Sequence, residues 1–215
     1  MTNLEDVSLN PLSGDKPKSL VVLLHGYGDS GNGLIALGQY WREALPDTAF
    51  HAPHAPQICE INPMGGYQWF SLSEYTPEKL LEGTIAAHPI LNEYLDNLLE
   101  KYGISADQMV LVGFSQGTMM SLYTGPRFKD KIAGILGYSG ALVGAEDLDK
   151  AHKLPIHLIH GEDDSVVPVE SYHQAVDILG QNSFNISGYT QSGLEHSIDE
   201  EGLQSGLEFI NELLK

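Results

Sequence analysis

The sequence predicts an α/β protein in which a mostly parallel sheet carries helices on both faces. Three observations predict it. Short continuous apolar runs recur along the 215 residues. Stretches of helical periodicity alternate with them, and the runs lack the two-residue alternation of strands that leave one face in water.

The elements follow in order. Ser19 to Leu24 (SLVVLL) is a buried strand, ended by His25-Gly26-Tyr27-Gly28-Asp29-Ser30-Gly31, which holds too much glycine to continue it. Leu34, Leu37, Trp41 and Leu45 recur near helical spacing until Pro46 stops them, and Thr48 to His51 is the next strand. Residues 53–73 contain Pro53, Pro56, Pro63 and Gly65-Gly66, so they predict a long loop, while Trp69 and Phe70 predict that it is ordered. One helix is expected after Thr76-Pro77 and another from Pro89, with Leu91, Leu95, Leu98 and Leu99 on one face and Gly103 as its end. Met109 to Val112 predicts a strand, Gly113 to Gly117 a sharp turn and Thr118 to Tyr123 a helix. Ile132 to Leu136, Leu154 to Ile159 and Phe184 to Tyr189 complete the strands. Val169 to Leu179 and Glu200 to Leu214 complete the helices. Length and apolar content predict one domain over residues 1–215.

Composition removes several function classes. With 29 acidic against 11 basic residues the formal charge is -18, which opposes nucleic-acid phosphates and anionic membrane surfaces alike. The start, MTNLEDVSLN, lacks the basic and apolar regions of a signal peptide, and no run of eighteen apolar residues occurs, so a cytoplasmic chain with no stable membrane insertion is expected. The single cysteine, Cys59, fits a reducing compartment; it follows no strand and makes a poor nucleophile candidate. No H-E-x-x-H or clustered carboxylate spacing accompanies the histidine pairs His51/His54 and His157/His160, so neither a metal nor another cofactor is expected.

The chemistry is expected at Gly113-Phe114-Ser115-Gln116-Gly117. Chance alone supplies roughly 0.2 occurrences of G-x-S-x-G in such a chain, and its place between a strand and a helix is what gives it weight. A serine hydroxyl is a weak nucleophile unless it stands exposed beside a base, and small flanking residues permit the strained turn that exposes it. The base needs an orienting acid, in the chain order serine, acid, histidine. After Ser115 an acidic loop, His160 to Pro168, follows a strand, with Asp164 as the candidate acid and Asp163 as its rival. His196 lies between the last strand and the last helix, where the base belongs, whereas His173 lies inside a helix. An oxyanion needs two donors: the Gln116 N–H after the nucleophile, and the Tyr27 N–H in the glycine-rich early loop.

Leu23 to Asp29, Gly113 to Gly117, the G-x-x-D-x-x-V-P run from Gly161 to Pro168 and Gly193-Leu194-Glu195-His196-Ser197 together make the chain resemble the phospholipase/carboxylesterase family of α/β-hydrolases. That family includes bacterial carboxylesterases, acyl-protein thioesterases and lysophospholipases. The resemblance runs from about residue 19 to the C-terminus. It implies an α/β-hydrolase fold without a large cap domain and the same five site residues: Ser115, Asp164, His196, Tyr27 and Gln116. It also places Trp69 and Phe70 beside the substrate acyl group. The expected partner is a small-molecule ester or acyl compound, cleaved as a carboxylic ester of short to medium chain through an acyl-enzyme on Ser115. The rivals are an acyl-protein thioesterase or lysophospholipase and, from another class, a noncatalytic hydrolase-fold binding protein. An exposed apolar rim around Trp69 is a candidate homodimer contact.

Overall fold

The computed structural model describes residues 4–215; the first three residues of the N-terminal segment read above lie outside them. The strands are β1 (Asp6–Leu9), β2 (Ser19–Leu24), β3 (Thr48–Pro53), β4 (Gln57–Ile58), β5 (Tyr67–Gln68), β6 (Met109–Phe114), β7 (Gly134–Tyr138), β8 (Pro155–Gly161) and β9 (Asn185–Gln191). The helices are α1 (Gly31–Trp41), α2 (Pro77–Tyr102), α3 (Gln116–Arg127), α4 (Glu170–Gln181) and α5 (Glu200–Leu213). Seven strands form one sheet in the order β1-β3-β2-β6-β7-β8-β9, parallel throughout except for β1. This is the α/β-hydrolase architecture, and no large cap stands over it among the described residues.

Strand alternation sorts the apolar side chains into two cores. Leu20, Val22 and Leu24 of β2 and Met109 and Leu111 of β6 face α2, α3 and α4. Val21 and Leu23, with Val110 and Val112, face Trp41 of α1 and Ile210 of α5. All nine of these strand side chains are fully buried, which is why the strands read as continuous apolar runs.

Four elements differ from expectation. Strand β1 escaped the sequence reading because its four residues alternate exposed and half-buried side chains at the sheet edge. The loop after β3 contains the small antiparallel ribbon β4–β5, only two residues per strand. Strand β7 lies two residues later than the apolar run that announced it. Finally, α2 is one helix of 26 residues that runs through Pro89. The carbonyl that Pro89 leaves without its usual donor belongs to Ile85, and Ile85 is 50% exposed, so water can serve it. The ends of α2 are as expected: Thr76 Oγ1 accepts from the Lys79 N–H (3.3 Å), and Gly103 closes it at φ 60°.

Because the six parallel strands point the same way, the loops after β2, β3, β6, β8 and β9 gather at one end of the sheet. The sequence-predicted site residues all lie in those loops or at the helix start that follows one of them.

Candidate active site

Ser115 sits between β6 and α3 with φ 53° and ψ −115°, a conformation that an L-residue adopts at a cost of about 1–3 kcal/mol. Surrounding contacts hold it there. Its N–H donates to the Tyr138 carbonyl of β7 (2.9 Å), and its own carbonyl accepts from Thr118 (2.9 Å). The two glycines of the turn are steric requirements. A Cβ at Gly117 would lie 1.8 Å from the Leu24 carbonyl oxygen, and one at Gly113 would lie 2.4 Å from the Thr118 nitrogen. Gly26 is similarly confined, since a Cβ there would stand 3.2 Å from the Ser115 Cβ. The early glycine-rich loop therefore lies directly against the serine.

Asp164 follows β8 and its side chain is fully buried. Its Oδ1 accepts from the Val166 N–H (2.9 Å) and the Val167 N–H (2.8 Å). Its Oδ2 accepts from Nδ1 of His196 (2.7 Å). Asp163 is exposed, and its backbone N–H donates to the Leu194 carbonyl (3.0 Å), tying the acid loop to the loop that carries His196. That docking is close: a Cβ at Gly161 would lie 2.2 Å from the Leu194 carbonyl oxygen. The imidazole of His196 is 18% exposed and packs on the Phe114 ring, with centroids 4.9 Å apart, beside the Ser115 turn. Fixing the proton on Nδ1 leaves Nε2 as the acceptor.

The backbone N–H groups of Tyr27 and Gln116 donate to no protein acceptor among the described residues, whereas Gly28 donates to the Tyr67 carbonyl (2.9 Å) and Asp29 to that of Gly26 (3.3 Å). Tyr27 is anchored through its side chain, whose hydroxyl donates to Glu60 Oε1 (2.6 Å); Ser71 donates to the same carboxylate (2.9 Å). Burial, with Glu60 adding to it, pushes the Tyr27 phenol well above its ordinary value, so it remains a neutral donor.

Three supporting side chains were not foreseen. His25 is fully buried under the early loop; the Ala55 N–H donates to its Nε2 (2.9 Å), so Nδ1 carries the proton and donates to the Gly26 carbonyl (2.7 Å). Burial is the main cause that pushes this imidazole below its ordinary value and keeps it neutral. The Gln116 side chain accepts from the Trp69 N–H (2.9 Å) and donates to the Phe70 carbonyl (2.9 Å), stitching the long loop to the start of α3. His160 donates from Nε2 to the Val167 carbonyl (2.8 Å) and lies 3.4 Å from Asp164 Oδ2, so it braces the acid loop from behind. Chiefly through burial, its pKa too is lowered. His25 and His160 each directly precede a glycine at a strand end, and that pairing was the available sequence signal.

Trp69 and Phe70 are 1% and 3% exposed. Trp69 donates from Nε1 to the His25 carbonyl (3.1 Å), and both side chains belong to the core. Trp69 itself takes no part in an exposed rim, because core packing and that hydrogen bond turn the indole inward, while Ile58, Ile61 and Met64 of the same loop are exposed. His157 and His160 go to opposite sides of the sheet: His157 stacks on Phe209 of α5, and His160 faces Tyr172 of α4. A cleft of about 330 Å³ lined by Tyr75, Leu80, Ala141, Leu142 and Val143 opens next to the site. Its wall starts one residue after Gly140, where a Cβ would lie 2.8 Å from the Ser115 carbonyl oxygen, and the Asp164 charge reaches Tyr75, helping burial to raise its phenol. A wider cleft of about 720 Å³, between Tyr40 and the acidic face of α5, touches none of these residues.

Comparison with known proteins agrees with the fold. Residues 12–214 match the phospholipase/carboxylesterase family. A Neurospora crassa protein named acyl-protein thioesterase 1 is 32% identical over 212 residues, covering 90% of this chain and 86% of its own. The Gibberella zeae protein of the same name is 29% identical, covering 90% of each. The crystal structure of esterase PE8 superposes with a TM-score of 0.93 at 42% identity, covering 99% of this chain and all of its own.

Proposed function

The chain belongs to the phospholipase/carboxylesterase family, whose members are serine hydrolases, and from that premise we propose that it hydrolyses carboxylic esters of short to medium acyl chain through an acyl-enzyme on Ser115. The observation that carries this reading is the buried Asp164 holding His196 beside a serine in a strained, sterically enforced turn. Ser115 Oγ attacks the carbonyl carbon while His196 Nε2 takes its proton. The tetrahedral oxyanion is met by the Tyr27 and Gln116 amides. Collapse of the intermediate expels the alcohol, which receives the proton from His196. Water then repeats the sequence, and the acid leaves with Ser115 restored. Asp164 fixes the imidazole tautomer and stabilises its charged form.

The acyl chain is assigned to the 330 Å³ cleft, whose Leu80, Leu142 and Val143 offer apolar contact. Trp69 and Phe70 act on it from behind, by holding the long loop in place. The names of the fungal relatives favour a second reading, hydrolysis of thioesters on acylated proteins. The free, buried Cys59 fits a cytoplasmic setting for either.

Two measurements test the proposal. Ser115→Ala should lower kcat/KM for a p-nitrophenyl butyrate ester by at least about a thousandfold, with the melting temperature kept, and should abolish labelling by a fluorophosphonate. Full activity in the purified variant overturns the assignment of Ser115. Side-by-side turnover of butyryl ester and butyryl thioester then decides between the two readings.

A further inference from the structure

The charges of this chain are sorted along the strand direction. Lys16 and Lys18 lead into β2, Lys101 lies in the last turn of α2, and Arg127 ends α3, with Lys129 and Lys131 after it. All of these lie at the amino end of the sheet, opposite the active site. Arg42 is the C-cap of α1 and Lys215 follows α5, both at that same end. Lys150 and Lys153 precede β8 in a segment tied to the end of α3, through Arg127 to the Gly144 carbonyl and through the His152 N–H to that of Pro126. Of the 11 basic residues, Lys79 alone stands at the active-site end, and Glu82 pairs with it at 2.9 Å.

Acidic residues occur at both ends, Asp15, Asp47, Asp107 and Asp130 standing among the lysines, but at the active-site end they stand almost without cations. Asp29, Glu60, Glu74, Glu162, Asp163 and Glu195 are exposed on the loops that surround Ser115. No lysine or arginine pairs with any of them among the described residues. Helix dipoles explain part of the sorting, since Glu78, Glu170, Glu200 and Glu201 occupy first turns and Lys101 and Arg127 last turns. Asp29 lies against the first turn of α1, but the other five loop acids belong to no helix, and that account leaves them out.

Resting on the serine-esterase reading, we propose that the active-site face selects substrates by charge: it accepts esters with neutral or cationic leaving groups and rejects anionic ones such as coenzyme A thioesters and lysolipids with a net negative headgroup. Field lines from unpaired carboxylates converge on the cleft, raise the local concentration of cations and lower that of anions. The effect lies in capture of the substrate, so it belongs to kcat/KM and weakens as salt shortens the Debye length from about 30 Å at 0.01 M to below 10 Å above 0.1 M.

Three butyrate esters of similar size test it: those of choline, 3,3-dimethylbutanol and isethionate, carrying a cation, no charge and an anion, followed by acid release in a pH-stat. At about 0.01 M ionic strength the isethionate ester should have a kcat/KM at least about tenfold below the neutral one, with the choline ester above it. In 0.5 M salt the three should draw within about threefold. The triple variant Glu74→Gln, Glu162→Gln, Glu195→Gln should shrink the low-salt spread severalfold. Glu100→Gln, Asp107→Asn, Asp130→Asn, which changes net charge equally at the other end, should leave it intact. An anionic ester cleaved as fast as the neutral one at low salt overturns the proposal, as does a spread that survives salt or responds equally to both triples. Failure to cleave the neutral ester, or cleavage that persists in Ser115→Ala, overturns the serine-esterase reading itself and this inference with it.

Discussion

Asp164 directs one carboxylate oxygen to the Val166 and Val167 amides and the other to His196, while the neighbouring Asp163 carboxylate stands in solvent. Only the first arrangement can hold an imidazole in one tautomer and answer its developing charge. Asp164→Asn should therefore lower kcat by on the order of 10⁴, by analogy with other triads, whereas Asp163→Asn should stay within a few fold. Steady-state kinetics on both purified variants checks the ranking, and the opposite order would move the acid to Asp163. At this scale much of the site was legible. Ser115, Asp164 and His196 occupy loops whose places follow from chain order, and the glycines around Ser115 mark a turn that tolerates no Cβ. Chain order favours Asp164 but keeps Asp163 as a rival, because which of two adjacent aspartates turns inward depends on the amides of Val166 and Val167. Gln116 was legible only through its backbone, since the partners of its side chain, Trp69 and Phe70, lie 47 and 46 positions away.

At the scale of elements, the long loop between β3 and α2 is ordered by what it buries. Trp69 is 1% exposed and hydrogen-bonded at both its N–H groups, to Gln116 and to His25. Trp69→Ala should cost about 3–5 kcal/mol of stability and lower kcat/KM alike for acetate, butyrate and octanoate esters. Melting curves alongside the ester series check this; a loss confined to octanoate with an unchanged melting temperature would make Trp69 a wall of the acyl cleft. Strand β1 is held differently. The buried His51 of β3 hydrogen-bonds Asp6, and Tyr94 of α2 donates to the same carboxylate (3.1 Å). The His51 hydrogen bond is the main cause that holds Asp6 below its ordinary 3.8, with the His51 and Lys101 charges and the Tyr94 hydroxyl adding to it against burial. A lowered carboxyl pKa contributes stability above the ordinary value and loses it as pH falls through the lowered one. Asp6→Asn should thus destabilise by about 1–2 kcal/mol at pH 7 and by much less near pH 2.5, read from denaturant midpoints at both pH values. The sequence hid β1 for the same reason that it needs a polar clamp: an edge strand of four half-exposed residues has little apolar pattern to read and little apolar burial to hold it. Pro89 misled for the complementary reason, since its breaking effect was offset by solvent at Ile85 that only the folded helix defines.

Across the whole molecule, the parallel sheet was the most legible feature, because strands buried on both faces must be apolar throughout and helices must cover them. The net charge was legible as well, but its direction was not; a count of residues becomes an axis only when the strands align the loops. That axis bears on how the protein would be mounted on a surface. Amine-reactive supports capture lysines, and apart from the ion-paired Lys79 these lie at or near the end opposite Ser115, so covalent coupling would leave the mouth facing the liquid. A positively charged resin would draw the acidic mouth down onto itself and bury it. One protein on two carriers would then behave as two catalysts, distinguished by which pole it was held by.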